Sequence, residues 1–247
     1  MNVIKKLNLY YWLRKIFVSF LFQSILINIF FIKKTQIRKI VFFLTYKTNH
    51  WNKYALIDKS NLLVSGPGSF PDNAQTKNLI INLQDFIKNN QIKTILDMPC
   101  GDFAWMKNLI KVYDQLFYTG YDIVKDIIDN NNQNFKSDRI KFLQKDIVNE
   151  KNFDGFDLVF LRDFFIHLPN KDIITVINNL KSSKIKFFAS NSYFKILLNK
   201  EIATGEHRKI NLSISPFDLK EIYYQFPDVR SFDDSQNDCV VNIYKII

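Results

Sequence analysis

Four aspartates carry the chemistry that is easiest to read. Asp97, Asp122, Asp146 and Asp163 each close a short apolar run: KTILDM, LFYTGYD, IKFLQKD and FDLVFLRD. A single Asp in such a place is commonly a helix cap or a turn former. Four in register outline one edge of a cleft, rich in hydrogen-bond acceptors. That edge suits a ligand with a positive charge, ribose hydroxyls and an exocyclic amine. It is hostile to phosphate, which needs Gly-rich backbone or Lys/Arg. The six glycines (66, 68, 101, 120, 155 and 205) form neither G-x-G-x-x-G nor G-x-x-x-x-G-K-[ST]. Asp163 and His167 are four apart, so a helical turn would put them on one face, with the carboxylate orienting the imidazole as a general base. His207, beside Arg208, is the rival base. The three His are far apart and only 2 Cys occur, which leaves neither a zinc module nor a disulfide framework. No metal is expected.

These residues need elements to position them. Ala74 to Lys88 has helical spacing through Leu79, Ile80, Leu83, Phe86 and Ile87. Strands are expected at 93–98, 116–122, 140–146, 156–163 and 185–190, with a closing strand at 239–246. Helices are expected at 103–112, 124–132 and 171–180, and a late one at 218–225. SGPGSFPDN (65–73) is a turn-rich loop. Strands alternating with helices predict an α/β fold: a doubly wound, mostly parallel, Rossmann-like sheet with helices on both faces. Ligands bind such sheets at the carboxyl ends of the strands, where the aspartates fall.

The first 57 residues read differently. They hold ten Lys/Arg and no acid, so the net charge of +10 belongs wholly to them. The rest is neutral, which argues against nucleic acid as a partner. Phe17 to Ile32 is a run of 16 uncharged residues interrupted by Gln23, Ser24 and Asn28. A bilayer span needs about 20 apolar residues. No small-residue cleavage site follows. Three readings stand for this basic, apolar, helical segment: peripheral attachment to an anionic cytoplasmic leaflet, packing on the main domain or a partner, and a true span. The chain therefore divides into an N-terminal segment, 1–57, outside the catalytic fold, and a domain, 58–247.

Residues 65–247 resemble the class I S-adenosylmethionine-dependent methyltransferases. ILDMPCGDFAWM (95–106) resembles their first motif, and more closely that of a subgroup reading L-D-x-P-C-G-D-F. YTGYDIV (118–124) and KFLQKDI (141–147) resemble the second and third motifs. FDLVFLRDFFIHLP (156–169) resembles the subgroup's R-D-x-x-x-H-L signature. SGPGS with Gln75, and GEHRKINLSISPF (205–217), resemble its early and late loops. Of the three alternate glycines of the general first motif only Gly101 remains, between Pro99 and Phe103.

The resemblance implies S-adenosyl-L-methionine as cofactor. Its methionine end would lie against Asp97, Pro99, Gly101 and Asp102, with Asp97 accepting from the amino group. Asp122 would take the ribose hydroxyls, beside Ile123. Asp146 would accept from the adenine amine, Ile147 packing on the ring, and Arg162 completes the cofactor set. Ser65, Gly66, Gln75, Trp105, His207 and Arg208 would face the acceptor. The implied reaction is in-line displacement at the sulfonium methyl, with positioning doing most of the work. The expected function is O-methylation of a hydroxyl on a sugar or glycan precursor, a cytoplasmic modification near a membrane. Alternatives are a small metabolite or protein side chain as acceptor, or an inactive methyltransferase-fold adaptor.

Overall fold

The computed structural model describes residues 3–52, 64–71, 73–228 and 238–247. Seven strands form one sheet: β1 (Thr94–Asp97), β2 (Phe117–Asp122), β3 (Ile140–Gln144), β4 (Leu158–Leu161), β5 (Phe187–Tyr193), β6 (Tyr224–Pro227) and β7 (Cys239–Lys245). Their order is β3-β2-β1-β4-β5-β7-β6. The first five run parallel; β7 is antiparallel to both β5 and β6. The order reverses between β1 and β4, so the crevice opens beyond the carboxyl ends of these two strands.

The central strands are short and buried on both faces, as TILD and LVFL require. Asp157 lies at the other end of the sheet. Its Oδ2 accepts from the amides of Lys93 (2.7 Å) and Thr94 (3.0 Å), and its Oδ1 pairs with Lys186. Helix α4 (Ala74–Asn89) starts where the Asn73 side chain accepts from the Thr76 amide, and it buries Leu79, Leu83, Phe86 and Ile87. Helices α5 (Met106–Val112), α6 (Lys125–Phe135) and α7 (Asn170–Lys181) complete the layers.

Two sequence-based expectations fail. Helix α5 begins at Met106, not Phe103: Phe103 takes a left-handed φ of 58°, and Asp102 Oδ1 accepts from the Ala104 amide, so 101–105 is a turn. No helix forms over 218–225. Asp218 is left-handed (φ 51°), and Tyr224–Pro227 pairs with β7 instead, in the register Tyr224↔Ile243. The pairing partner lies in the last residues of the chain, so local periodicity could not reveal it.

The basic segment folds as three helices, α1 (Val3–Val18), α2 (Phe20–Asn28) and α3 (Lys34–Lys47). The long apolar run is broken between them, and no helix among the described residues is long and apolar enough to cross a membrane. The bundle packs on the sheet domain. Gln23 is buried because its amide brackets Thr204, donating to the Thr204 carbonyl (2.9 Å) and accepting from its amide (3.3 Å). Arg14 Nε donates to Thr45 Oγ1 at 3.2 Å. Gly205 must be Gly: its φ is +85°, and a Cβ there would lie 2.2 Å from Val41 Cγ1 on α3. The expected boundary at 57/58 lies outside the described residues.

Candidate active site

The crevice is a cleft of about 270 Å³ at the β1–β4 switch point. Its floor is the turn after β1. Asp97 is buried, and the Tyr118 hydroxyl donates to its Oδ2 at 2.8 Å. Burial pushes its pKa up to about 7, against the smaller lowering effects of the Tyr118 bond and the Arg162 charge. Gly101 is left-handed (φ +52°), and a Cβ there would sit 2.3 Å from Ser65 Oγ. Close approach of the early loop therefore demands the glycine. Ser65 Oγ accepts from the Asp102 amide (2.8 Å), and the Ser65 amide donates to Asp102 Oδ2 (3.1 Å). Asn131 donates to the Gly101 carbonyl at 2.7 Å. The turn is thus held from two sides. Pro99, Gly101, Asp102, Ser65 and Gly66 all line the cleft.

Asp122 ends β2. It accepts from the Val124 amide at 2.9 Å and from the Tyr46 hydroxyl at 3.4 Å, and burial pushes its pKa up to about 6. Asp146 follows β3. Its two oxygens accept from Arg38 Nε (2.9 Å) and Nη2 (2.8 Å), while Arg38 Nη1 donates to Asp172 at 2.9 Å. A carboxylate has about four lone-pair sites, so this fork leaves Asp146 able to accept once more. Ile123, Ile147 and Val148 supply apolar wall.

Arg162, Asp163 and His167 follow β4, and geometry divides them. Arg162 spends its guanidinium on Asp228 (Nε to Oδ2, 3.1 Å) and on the Gly68 carbonyl (Nη1, 2.9 Å). It fastens the early loop beside the cleft, its Cζ 5.6 Å from the Trp105 ring centre. Asp163 has φ +55°, and only a short 3-10 turn, Phe165–His167, follows. The expected helical face shared by Asp163 and His167 therefore does not exist. Asp163 is held by Asn191, whose Nδ2 donates to Oδ1 at 3.1 Å and whose Oδ1 accepts the Asp163 amide at 2.9 Å. The imidazole is oriented instead by the main chain: Nδ1 lies 2.9 Å from the Glu206 carbonyl. A carbonyl can only accept, so Nδ1 carries the proton and Nε2 is left as an acceptor. Burial first, then the His207 ring, push the His167 pKa down to about 3; the Asp163 charge acts in the opposite sense.

Of the residues expected to face an acceptor, Ser65, Gly66, Trp105 and His207 line the cleft. Gln75 and Arg208 do not. Gln75 donates to Asp228 at 2.8 Å, leaving its buried Oε1 without a partner. Arg208 staples the late loop through the carbonyls of Lys200 and Phe165 and the side chain of Asn170. Sequence reasoning missed Arg38, Phe42, Tyr46 and Trp51, which bring the N-terminal segment into the cleft wall. One signal was available: of the ten cations in that segment only Arg14 and Arg38 are Arg, and both are buried. Trp51 lies 4.3 Å, centre to centre, from the His167 ring. Trp51 and His207 also border a second cavity, which Glu201, Glu206 and His50 line from its other sides.

The donor set fits S-adenosylmethionine. Two buried carboxylates with raised pKa values await a cationic or hydroxyl-bearing ligand, and an apolar patch beside Asp146 suits an aromatic ring. Among the described residues no cluster of three His, Cys, Asp or Glu could hold a metal ion.

Comparison with known proteins agrees. The family model described as "Methyltransferase domain" matches residues 95–183. The magnesium protoporphyrin IX methyltransferase of Synechocystis PCC 6803 with bound SAM superposes with a TM-score of 0.57 at 12% identity, over 86% of this chain and 96% of that one. N-methyltransferase NodS of Bradyrhizobium japonicum WM9, in complex with S-adenosyl-L-homocysteine, gives 0.53 at 14% identity, over 70% and 88%. An S-adenosylmethionine-dependent methyltransferase of Clostridium acetobutylicum ATCC 824 gives 0.52 at 13% identity, over 69% and 92%. No curated protein matches the sequence. The family model, the sheet order and the acid-lined cleft converge: residues 95–183 match a methyltransferase domain, and the chain has the fold of the S-adenosylmethionine-dependent methyltransferases it superposes on.

Proposed function

We propose that the enzyme methylates a hydroxyl of a sugar or glycan precursor, including a lipid-linked one. The carrying observation is the His167 ring, neutral, pinned at Nδ1 by the Glu206 carbonyl and bordering the cleft beside Trp51. S-adenosylmethionine supplies an electrophilic sulfonium methyl; the chain must supply alignment. Nε2 of a neutral imidazole accepts from a hydroxyl and aims its oxygen. The depressed pKa makes His167 a weak proton holder, so its contribution is orientation first and basicity second. An ammonium acceptor would bring only donors and no lone pair to this site. The Trp51 face suits the C–H surface of a sugar ring, and the second cavity, with Glu201, Glu206 and His50, offers polar groups for further hydroxyls. Asp97 and Asp122 would hold the cofactor's ammonium and ribose.

The test is S-adenosylhomocysteine formation with a panel of free sugars, lipid-linked sugars, amines and phenols. Turnover with a hydroxyl-bearing sugar that needs His167 is expected. Turnover with amines alone would replace the reading with N-methylation.

A further inference from the structure

The three-helix N-terminal segment covers the sheet domain with one side and presents an unusual surface with the other. On α2, Phe22, Gln23, Leu26 and Ile27 face inward or are half-buried. The outer side carries Phe20 and Leu21, 64% and 70% exposed, and continues through Ile29, Phe30 and Phe31, which are 63%, 64% and 84% exposed. Leu21, Ile25 and Ile29 are four apart and form one stripe. The stripe runs about 12 Å from end to end at 1.5 Å per residue. Phe31 adopts a left-handed φ of 51°, which a bulky residue rarely does, and points its ring into solvent. Beside the stripe, Asn28 Nδ2 donates to Ser24 Oγ at 3.1 Å, so part of their polar capacity is met within the helix itself. They can leave water without losing that bond. Exposed lysines lie toward both ends of the stripe: Lys15 in the last turn of α1, and Lys33, Lys34 and Lys39 around the start of α3, with Lys34 Nζ also 3.8 Å from Asp172 Oδ1.

We infer that this face docks on an anionic lipid bilayer, α2 lying in the interface and the lysines on the headgroups. Charge selects this occupant. The segment has no acid through residue 57, so a second copy would set like charges against each other. A basic rim around exposed Phe, Leu and Ile is the composition of an interfacial helix. The docking deepens the proposed function, resting on a lipid-linked acceptor met at a membrane surface. Its readout is independent of that reading.

The test is sedimentation of the full chain with phosphatidylcholine vesicles, with and without phosphatidylglycerol, and with light scattering in their absence. The expected result is binding to the anionic vesicles only. The double variant F30S/F31S should lose about tenfold in partition, and K33E/K39E a similar factor that shrinks as salt is added. Val112→Ser, which removes an exposed apolar side chain at the far end of α5, should change nothing. S-adenosylhomocysteine binding should be retained by all variants, which certifies their fold. The inference is overturned if the wild type stays in the supernatant with anionic vesicles, or if F30S/F31S binds as the wild type does. It is also overturned if the wild type is a dimer that F30S/F31S makes monomeric. Vesicle binding without sugar methylation would remove the acceptor assignment and leave the docking surface standing.

Discussion

At the scale of residues, the cleft's behaviour follows from carboxylates that are buried before any ligand arrives. Asp97 and Asp122 titrate near 7 and 6, above the ordinary 3.8, so the fold favours their neutral forms. Their stabilising contribution is full below about pH 4 and is lost as pH rises through 6 and 7. A cation at Asp97 cancels that loss. The melting-temperature shift produced by S-adenosylhomocysteine should therefore grow from pH 5.5 to pH 8, and Asp97→Asn should flatten the trend. A shift independent of pH in the wild type would exclude Asp97 as the ammonium partner. His167 works in the opposite direction: its folded pKa lies below 6.5, so its contribution is present above that value and is lost as pH falls towards about 3. Being neutral throughout the working range, it should leave no inflection near 6.5 in the rate profile. His167→Ala should lower turnover about 10²-fold, the cost of a misplaced reacting group, with cofactor affinity nearly unchanged. His167→Gln, which keeps an acceptor, should recover part of that loss. Equal loss in both variants would favour proton removal over orientation.

At the scale of elements, α3 is the part whose role changes most once the fold is known. It carries Arg38 to Asp146 and Asp172, Tyr46 to Asp122, and Val41 against Gly205. Arg38 is buried between two carboxylates, and removing one partner from such a set costs about 3–5 kcal/mol. Arg38→Ala should lower the melting temperature by about ten degrees and weaken S-adenosylhomocysteine binding, because Asp146 loses its orientation. A variant that melts as the wild type does would show that the fork is solvated and carries little. Gly205→Ala tests the same packing from the other side. It meets both a left-handed backbone and Val41, and should cost about 1–3 kcal/mol.

At the scale of the whole molecule, charge and burial divide the chain in different places. Charge divides it near residue 57, with a basic segment before a neutral domain. Packing does not: Ile123, Val124 and Ile127 of the sheet domain form an apolar cluster with Phe42, Phe43 and Tyr46 of the N-terminal segment. Deleting residues 1–52 should therefore expose that cluster and open the cleft wall. The truncated chain should aggregate or lose the S-adenosylhomocysteine shift, which for the intact chain amounts to about 2.7 kcal/mol at a hundredfold excess over Kd. A soluble truncation that binds as tightly as the full chain would separate the two units after all.

The alternation of short apolar runs with helical spacing, read from the sequence alone, determined the sheet class and the six strands that bear its core. The same runs ended in Asp97, Asp122 and Asp146, because a parallel sheet puts every strand's carboxyl end on one side and the crevice must form there. That information is local and repeats along the chain. What only the tertiary structure decided joins distant residues. Strand β6 exists because β7 offers it an edge. His167 is oriented by a main-chain carbonyl 39 residues away, which no spacing encodes. Arg38 reaches Asp146 across 108 residues; its being Arg among lysines hints at burial, but nothing in the sequence names its partner. Side-chain chemistry at strand ends follows from periodicity; the partners that hold those side chains follow from packing.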